Sequence, residues 1–196
     1  AMWFKNLRAY RLTYDTGLTP EALESALAAA VFSPCGKVDL ARAGFVAPLG
    51  DVGTMLTHTV AQSTMVCLRR QEKVLPPAAI AEQVSERVAA LEAREGRPAQ
   101  RRERTALKDE VTLDLLPRAL TRSERIYAYF DLQRKFLLID AASERKAELV
   151  LEHLRAALDT LPVVPLDCHG DTASIMTRWV TNRPEAGFEL DQEVEL

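Results

Sequence analysis

No run of about 18 apolar residues occurs in this chain, so no membrane-spanning helix is expected. The opening stretch, AMWFKNLRAYRL, lacks the apolar core of a secretory leader. Cysteine is scarce. Cys35, Cys67 and Cys168 are odd in number and far apart, which argues against a disulfide framework and for reduced thiols in a cytoplasmic protein. The eight glycines are scattered, so there is no phosphate-cradling loop, and no Walker-type GK[ST] occurs. Low-complexity segments and repeats of a solenoid type are also absent. His58 and Cys67 supply too few ligands for zinc. Asp167-Cys168-His169-Gly170-Asp171 is richer, but adjacent side chains diverge, and Asp171 reads as a helix cap. A hydrolase using Cys168 would lose activity on alkylation. With no catalytic constellation in view, the expectation is a non-enzyme without metal or cofactor.

What is present is material for a core: 196 residues, 47% hydrophobic and 27% charged, enough for one large domain or two small ones. The formal net charge of -3 hides an asymmetry. Residues 185–196 hold five acids and no base, leaving +2 for the remainder. Residues 94–135 hold eleven Arg or Lys against seven Asp or Glu, a local +4. Such asymmetry says more about partners than the total does, although a charge run is most often a solvated helix face.

The asymmetry centres on residues 76–120. A helix is expected after Pro76-Pro77, with Ile80, Val84, Val88 and Leu91 on one face. Gly96-Arg97-Pro98 breaks it, and Pro98 can start the next helix. The second helix carries Leu107, Val111 and Leu115 and stops near Pro117. Arg94, Arg97, Arg101, Arg102, Arg104 and Lys108 surround the break, with Arg118 and Arg122 following. Arg101, Arg104 and Lys108 share a face. Leu113, Leu116 and Leu120 form a further apolar row at helical spacing, running to the hairpin's end, where a self-contact would hide it. Residues 1–75 and 121–196 are then an α/β body from which a two-helix hairpin, 76–120, projects.

Around the hairpin, Trp3 to Leu12 reads as a strand. Asp15-Thr16-Gly17 reads as a turn, and Thr19-Pro20 opens a helix with Leu23, Leu27 and Val31 inward. Residues 37–53 are loop-like apart from Gly44-Phe45-Val46. Met55 to Val60 and Thr64 to Leu68 read as paired strands, and Arg69 to Lys73 leads out of them. Arg125 to Phe130 is a strand with Ile126, Ala128 and Phe130 on one side and Tyr127 and Tyr129 on the other. Phe136 to Ile139 reads as a strand buried on both faces. Ser143 caps a helix with Ala147, Leu151, Leu154, Leu158 and Leu161 inward. Pro162 to Leu166 is an edge strand. Asp171 caps a helix with Ile175, Met176, Trp179 and Val180 inward, and Phe188 to Leu196 alternates as a half-wet strand. The fold class is α+β, with mixed sheets, packed helices and the projecting hairpin.

Several local sequences carry a resemblance: MWFKNLRAYRL at 2–12, FSPCG at 32–36, LRRQEKVLP at 68–76, LKDEV at 107–111, LLPRA at 115–119 with Ser123, DAAS-x-x-KAE at 140–148, and LPVVPL at 161–166. Together they resemble the recombination-associated protein RdgC family across nearly the whole chain. The resemblance implies nucleoid-associated binding of double-stranded DNA without sequence preference. It also implies a ring-shaped homodimer with a positively charged hole, and restraint of RecA-driven recombination. Family chains are about half as long again, with a further C-terminal region that helps close the ring. Leu120 stands where the family usually has Phe.

The residues suit that function independently, because non-specific duplex binding needs Lys and Arg on phosphates rather than a code for base edges. The alternative is a protein-docking module that uses the hairpin's apolar row and keeps the arginines as a solubilising rim.

Overall fold

The computed structural model describes residues 4–13, 17–166 and 172–182. The chain divides into two compact units, Ala1–Val164 and Pro165–Leu196. Seven strands are described: β1 (Leu7–Leu12), β2 (Ala41–Val46), β3 (Thr57–Val60), β4 (Ser63–Val74), β5 (Leu120–Asp131), β6 (Phe136–Asp140) and β7 (Val163–Pro165). They form one sheet in the order β2-β4-β5-β6-β1-β7, with β3 beside β4 beyond the end of β2. The class is α+β as expected, and the described strands form a single sheet.

The sheet is organised by β4 and β5, which pair antiparallel from Ser63↔Asp131 to Val74↔Leu120 without a break. Their alternation sets the two faces. Val66 and Leu68 lie opposite Ala128 and Ile126, all four are buried, and Phe130 is fully buried beside them. Tyr127 and Tyr129 turn to the other face and are half-buried. The core face is covered by α1 (Pro20–Leu27) through Leu23 and Leu27. α4 (Glu144–Leu158) covers it through Ala147, Val150, Leu151 and Leu154. Each buried leucine or valine contributes roughly 1.5–3 kcal/mol. Both helices start where caps place them. The Thr19 hydroxyl accepts from the Ala22 N–H at 3.2 Å with Pro20 in the first turn, and the Ser143 hydroxyl accepts from the Lys146 N–H at 3.4 Å.

Several expectations are corrected. β1 begins at Leu7 rather than at the chain start. Val31 leaves the helical row: α1 ends at Leu27, a short 3-10 turn follows, and Val31 is 55% exposed in a parallel bridge to Phe45. The supposed loop at 37–53 contains β2, whose register against β4 compensates for the poor strand propensity of Ala41-Arg42-Ala43-Gly44. Arg69 to Lys73 does not lead out of the sheet but continues β4. β6 is not buried on both faces, because only Leu137 and Ile139 are fully covered. Leu161 lies past the end of α4 but is still buried. In the second unit, α5 (Thr172–Asn182) leaves Met176 and Val180 exposed rather than inward. The Asp15-Thr16 turn, the Cys168 segment, the Asp171 cap and the strand expected at 188–196 lie outside the described residues.

Between β4 and β5 the chain makes an excursion through α2 (Pro77–Glu95) and α3 (Arg101–Leu115). Gly96 closes α2 in the left-handed region at φ +66°, its N–H donating to the Glu92 carbonyl at 2.9 Å. α3 starts at Arg101 rather than Pro98, because Gln100 and Glu103 form a reciprocal capping box.

Gly44 identifies a close approach. A Cβ there would lie 2.4 Å from the Phe32 Cα and 2.6 Å from its N, both backbone atoms. Gly44→Ala should therefore destabilise the fold by about 2–3 kcal/mol in chemical denaturation. Gly96→Ala has open space, and its positive φ should cost only about 1 kcal/mol.

Candidate nucleic-acid interface

α2 and α3 pack chiefly on each other. α2 buries no residue fully and α3 buries only Val111, while Ile80, Val84, Val88 and Leu91 are half-buried. Ion pairs clamp the two helices along their length. Arg87 reaches Glu110 at 3.0 Å and Asp114 at 2.6 Å, and Arg104 reaches Glu92 at 3.2 Å. The Asp114 hydrogen bond is the main cause of a raised Arg87 pKa.

These pairs divide the basic cluster. Arg97 is held by Glu103 at 2.6 Å and by Glu95, and Arg94 lies 3.5 Å from Glu95. Arg122 bonds Glu72. Arg101, Arg102, Lys108 and Arg118 are exposed, and their side chains make no ion pair or hydrogen bond among the described residues. Arg101 and Arg102 occupy the first turn of α3, where the helix dipole opposes positive charge by roughly 0.3–1 kcal/mol each. An unpaired cation in that place is not there to stabilise the helix.

The outer half of the β4–β5 ribbon carries charge differently on its two faces. On the core side Arg70 pairs with Glu72 and lies 3.9 Å from Glu124, Arg122 pairs with Glu72, and Lys146 of α4 meets Glu124 at 2.7 Å. Glu72 has a lowered pKa, first through its hydrogen bond from Arg70 and then through that from Arg122. On the opposite side stand Arg69, Gln71 and Lys73 of β4 and Thr121, Ser123 and Arg125 of β5, with no carboxylate among them. The sequence reading passed over Arg69, Lys73 and Arg125, although every second position of LRRQEKV and TRSER marks them once the segments are known to be strands.

The leucine row is corrected. Leu116 is 2% exposed, in a 3-10 turn after α3, and cannot serve as a surface contact. Leu120 begins β5 opposite Val74, so it lies where the hairpin rejoins the sheet, not at a helical end. It is 81% exposed, and Leu113 and Val74 are exposed too.

Of the thiol and histidine candidates, His58 and Cys67 are among the described residues, and Cys168 and His169 are not. His58 pairs with Met65, and Cys67 is buried, which pushes its thiol up to about 11. Among the described residues no group of three or more His, Cys, Asp and Glu could hold a metal, and no helix is long and apolar enough to cross a membrane.

A family model described as "Putative exonuclease, RdgC" matches residues 2–196. The chain belongs to the RdgC family. Relatives named "Recombination-associated protein RdgC" include those of Aeromonas hydrophila subsp. hydrophila and Halorhodospira halophila, both 42% identical, and of Psychromonas ingrahamii, 40% identical. Each match covers 100% of this chain and 65% of the relative, so the chain spans just under two thirds of the RdgC relatives it matches.

The capping box gives a pH signature. The Arg97 guanidinium, followed by the Gln100 N–H, lowers the Glu103 pKa from its ordinary 4.5 to about 2. The folded state thus holds this proton less tightly than the unfolded chain does. The stability it supplies is present above about 4.5 and is lost as pH falls through about 2. Glu103→Gln should make α3 less protected from hydrogen exchange at neutral pH and remove its change in protection between those limits.

Proposed function

We propose that this protein binds double-stranded DNA without sequence preference, acts in recombination and restrains RecA-dependent strand exchange as a homodimer. The observation that carries this reading is the set of unpaired cations on the hairpin: Arg101, Arg102, Lys108 and Arg118. Exposed Lys and Arg without internal partners are free to replace the condensed counterions of a phosphate backbone. The recombination-associated names of the relatives agree with that use. Nucleoid association follows from it. We read the protein as a binder rather than a nuclease. Phosphodiester hydrolysis of the metal-assisted kind needs a cluster of metal-ligating side chains, and among the described residues no group of three or more His, Cys, Asp and Glu could hold a metal.

Protein docking remains the second reading. Ile80, Val84 and Val88 line an open groove with Arg104 and Lys108, which suits an amphipathic partner. Salt separates the two. DNA retention should fall steeply between low and physiological salt, with log K linear in log salt and equal affinity for unrelated sequences. Arg101→Gln with Arg102→Gln should flatten the slope by about two. A flat response in the unaltered protein, or a strong preference for one sequence, would refute DNA binding.

Self-association is assigned to the exposed Val74–Leu120 cross-strand pair, with the exposed Leu113 as a further candidate. Leu120→Asp should shift sedimentation toward the monomer and leave thermal stability unchanged. An unchanged sedimentation profile would remove Leu120 from the contact.

A further inference from the structure

We propose that the outer half of the β4–β5 ribbon, on the face turned away from α1 and α4, is a second phosphate track. There Arg69, Arg125 and Lys73 hold the phosphodiester backbone of a nucleic acid. The inference rests on the DNA-binding reading above and places part of that activity on the sheet, apart from the hairpin.

The register is the starting point. Arg69 and Arg125 are direct partners across neighbouring strands. Like charges in that position repel, and a sheet gains nothing from them unless something negative is shared. Among the described residues no carboxylate relieves the pair. Arg69 donates to the Ser123 hydroxyl at 3.1 Å and stacks over the Phe32 ring at 4.6 Å. Those contacts hold its guanidinium in place without neutralising it. Arg125 is exposed and has no ion pair or hydrogen bond among the described residues. Its Nη1 would lie 3.4 Å from a Cβ on Gly50, a residue at φ +67°, so the missing side chain there leaves the guanidinium room. Among the described residues the Lys73 ammonium is held only by the Ala119 carbonyl, at 3.5 Å.

The other face of the same strands makes this informative. Glu72 and Glu124 pair with Arg70, Arg122 and Lys146 there, so this ribbon does accommodate acids beside its bases. On the cationic face the intervening positions are Gln71, Ser123 and Thr121. Gln71 is committed, its side-chain oxygen accepting from the Cys35 N–H at 2.8 Å. Ser123 and Thr121 are hydroxyl donors of the kind that accompany arginine at phosphates.

The spacing selects the ligand. Arg69 and Lys73 share a face four residues apart, roughly 13–14 Å along the strand. That is too far for one phosphate ion and suits phosphates about two steps apart along a polymer. An acidic protein would seek apolar anchors as well, since such anchors carry most protein–protein affinity. These six positions offer none.

The test compares salt slopes of binding to a short fluorescent duplex of arbitrary sequence, using the full chain. Arg125→Gln combined with Lys73→Gln should lower the slope by about two and weaken binding equally for unrelated sequences. Neither residue supports the core, so the melting temperature should not move. Arg122→Gln, on the opposite face and paired with Glu72, should leave the slope unchanged. Arg69→Gln is the secondary variant, because losing the Phe32 stack could alter folding. If the double variant binds with the unaltered protein's affinity and slope, the sheet track is overturned while hairpin binding stands. If the unaltered protein itself shows no salt-dependent binding, the DNA-binding reading falls first and the track falls with it. Polyglutamate displacing the duplex as effectively as unlabelled duplex of equal charge would also overturn the assignment to a phosphodiester backbone.

Discussion

Everything else in the first unit depends on the unbroken pairing of β4 with β5. The twelve-residue strand from Ser63 to Val74 meets its partner from Asp131 back to Leu120. Two ends far apart in sequence are thereby held side by side, and the intervening chain has to leave and return at one point. A helical hairpin satisfies that constraint, because two helices of comparable length joined by a short turn bring their outer ends together. The excursion is then stabilised by its own interior rows and by the Arg87 and Arg104 clamps, not by burial against the sheet. Closing so long a loop is entropically tolerable, since the cost grows only logarithmically with length.

The same pairing decides the electrostatics. Strand parity gathers Arg69, Lys73 and Arg125 on one side and Arg70, Glu72, Arg122 and Glu124 on the other. In the sequence these residues alternate, and the segments look balanced. In the fold one face is balanced by ion pairing and the other, among the described residues, is cationic without a carboxylate. The hairpin repeats the theme in helical form: its acids neutralise Arg97 and Arg104, and Arg101, Arg102 and Lys108 are left over. A count of basic residues overstates the charge available to a partner. What matters is the charge that remains after internal pairing, and it lies partly where the count is unremarkable.

Local signals were readable where one short segment carries them. Thr19-Pro20 and Ser143 cap their helices because a side-chain oxygen three residues from an orphan N–H needs no distant partner. Gly96 ends α2 because only glycine enters the left-handed region cheaply. The Ile126-Ala128-Phe130 face was legible because strand alternation is a local pattern. The errors fell where a distant segment overrides propensity. β2 exists because β4 offers it a ladder. The outer half of β4 is strand rather than linker because β5 pairs with it, and Leu120 is strand for the reciprocal reason.

The amino-acid sequence by itself therefore determined the element types with strong local codes, the helical hairpin between two strands, the basic surplus around residues 94–135 and the family likeness. Only the tertiary structure decided which cations are free, which leucines are covered, and that Arg69 and Arg125 face each other across two strands. The physical reason is range. Caps, turns and amphipathic periods act within a few residues. Register, ion pairing and burial depend on groups tens of residues apart, whose meeting is specified by the whole chain.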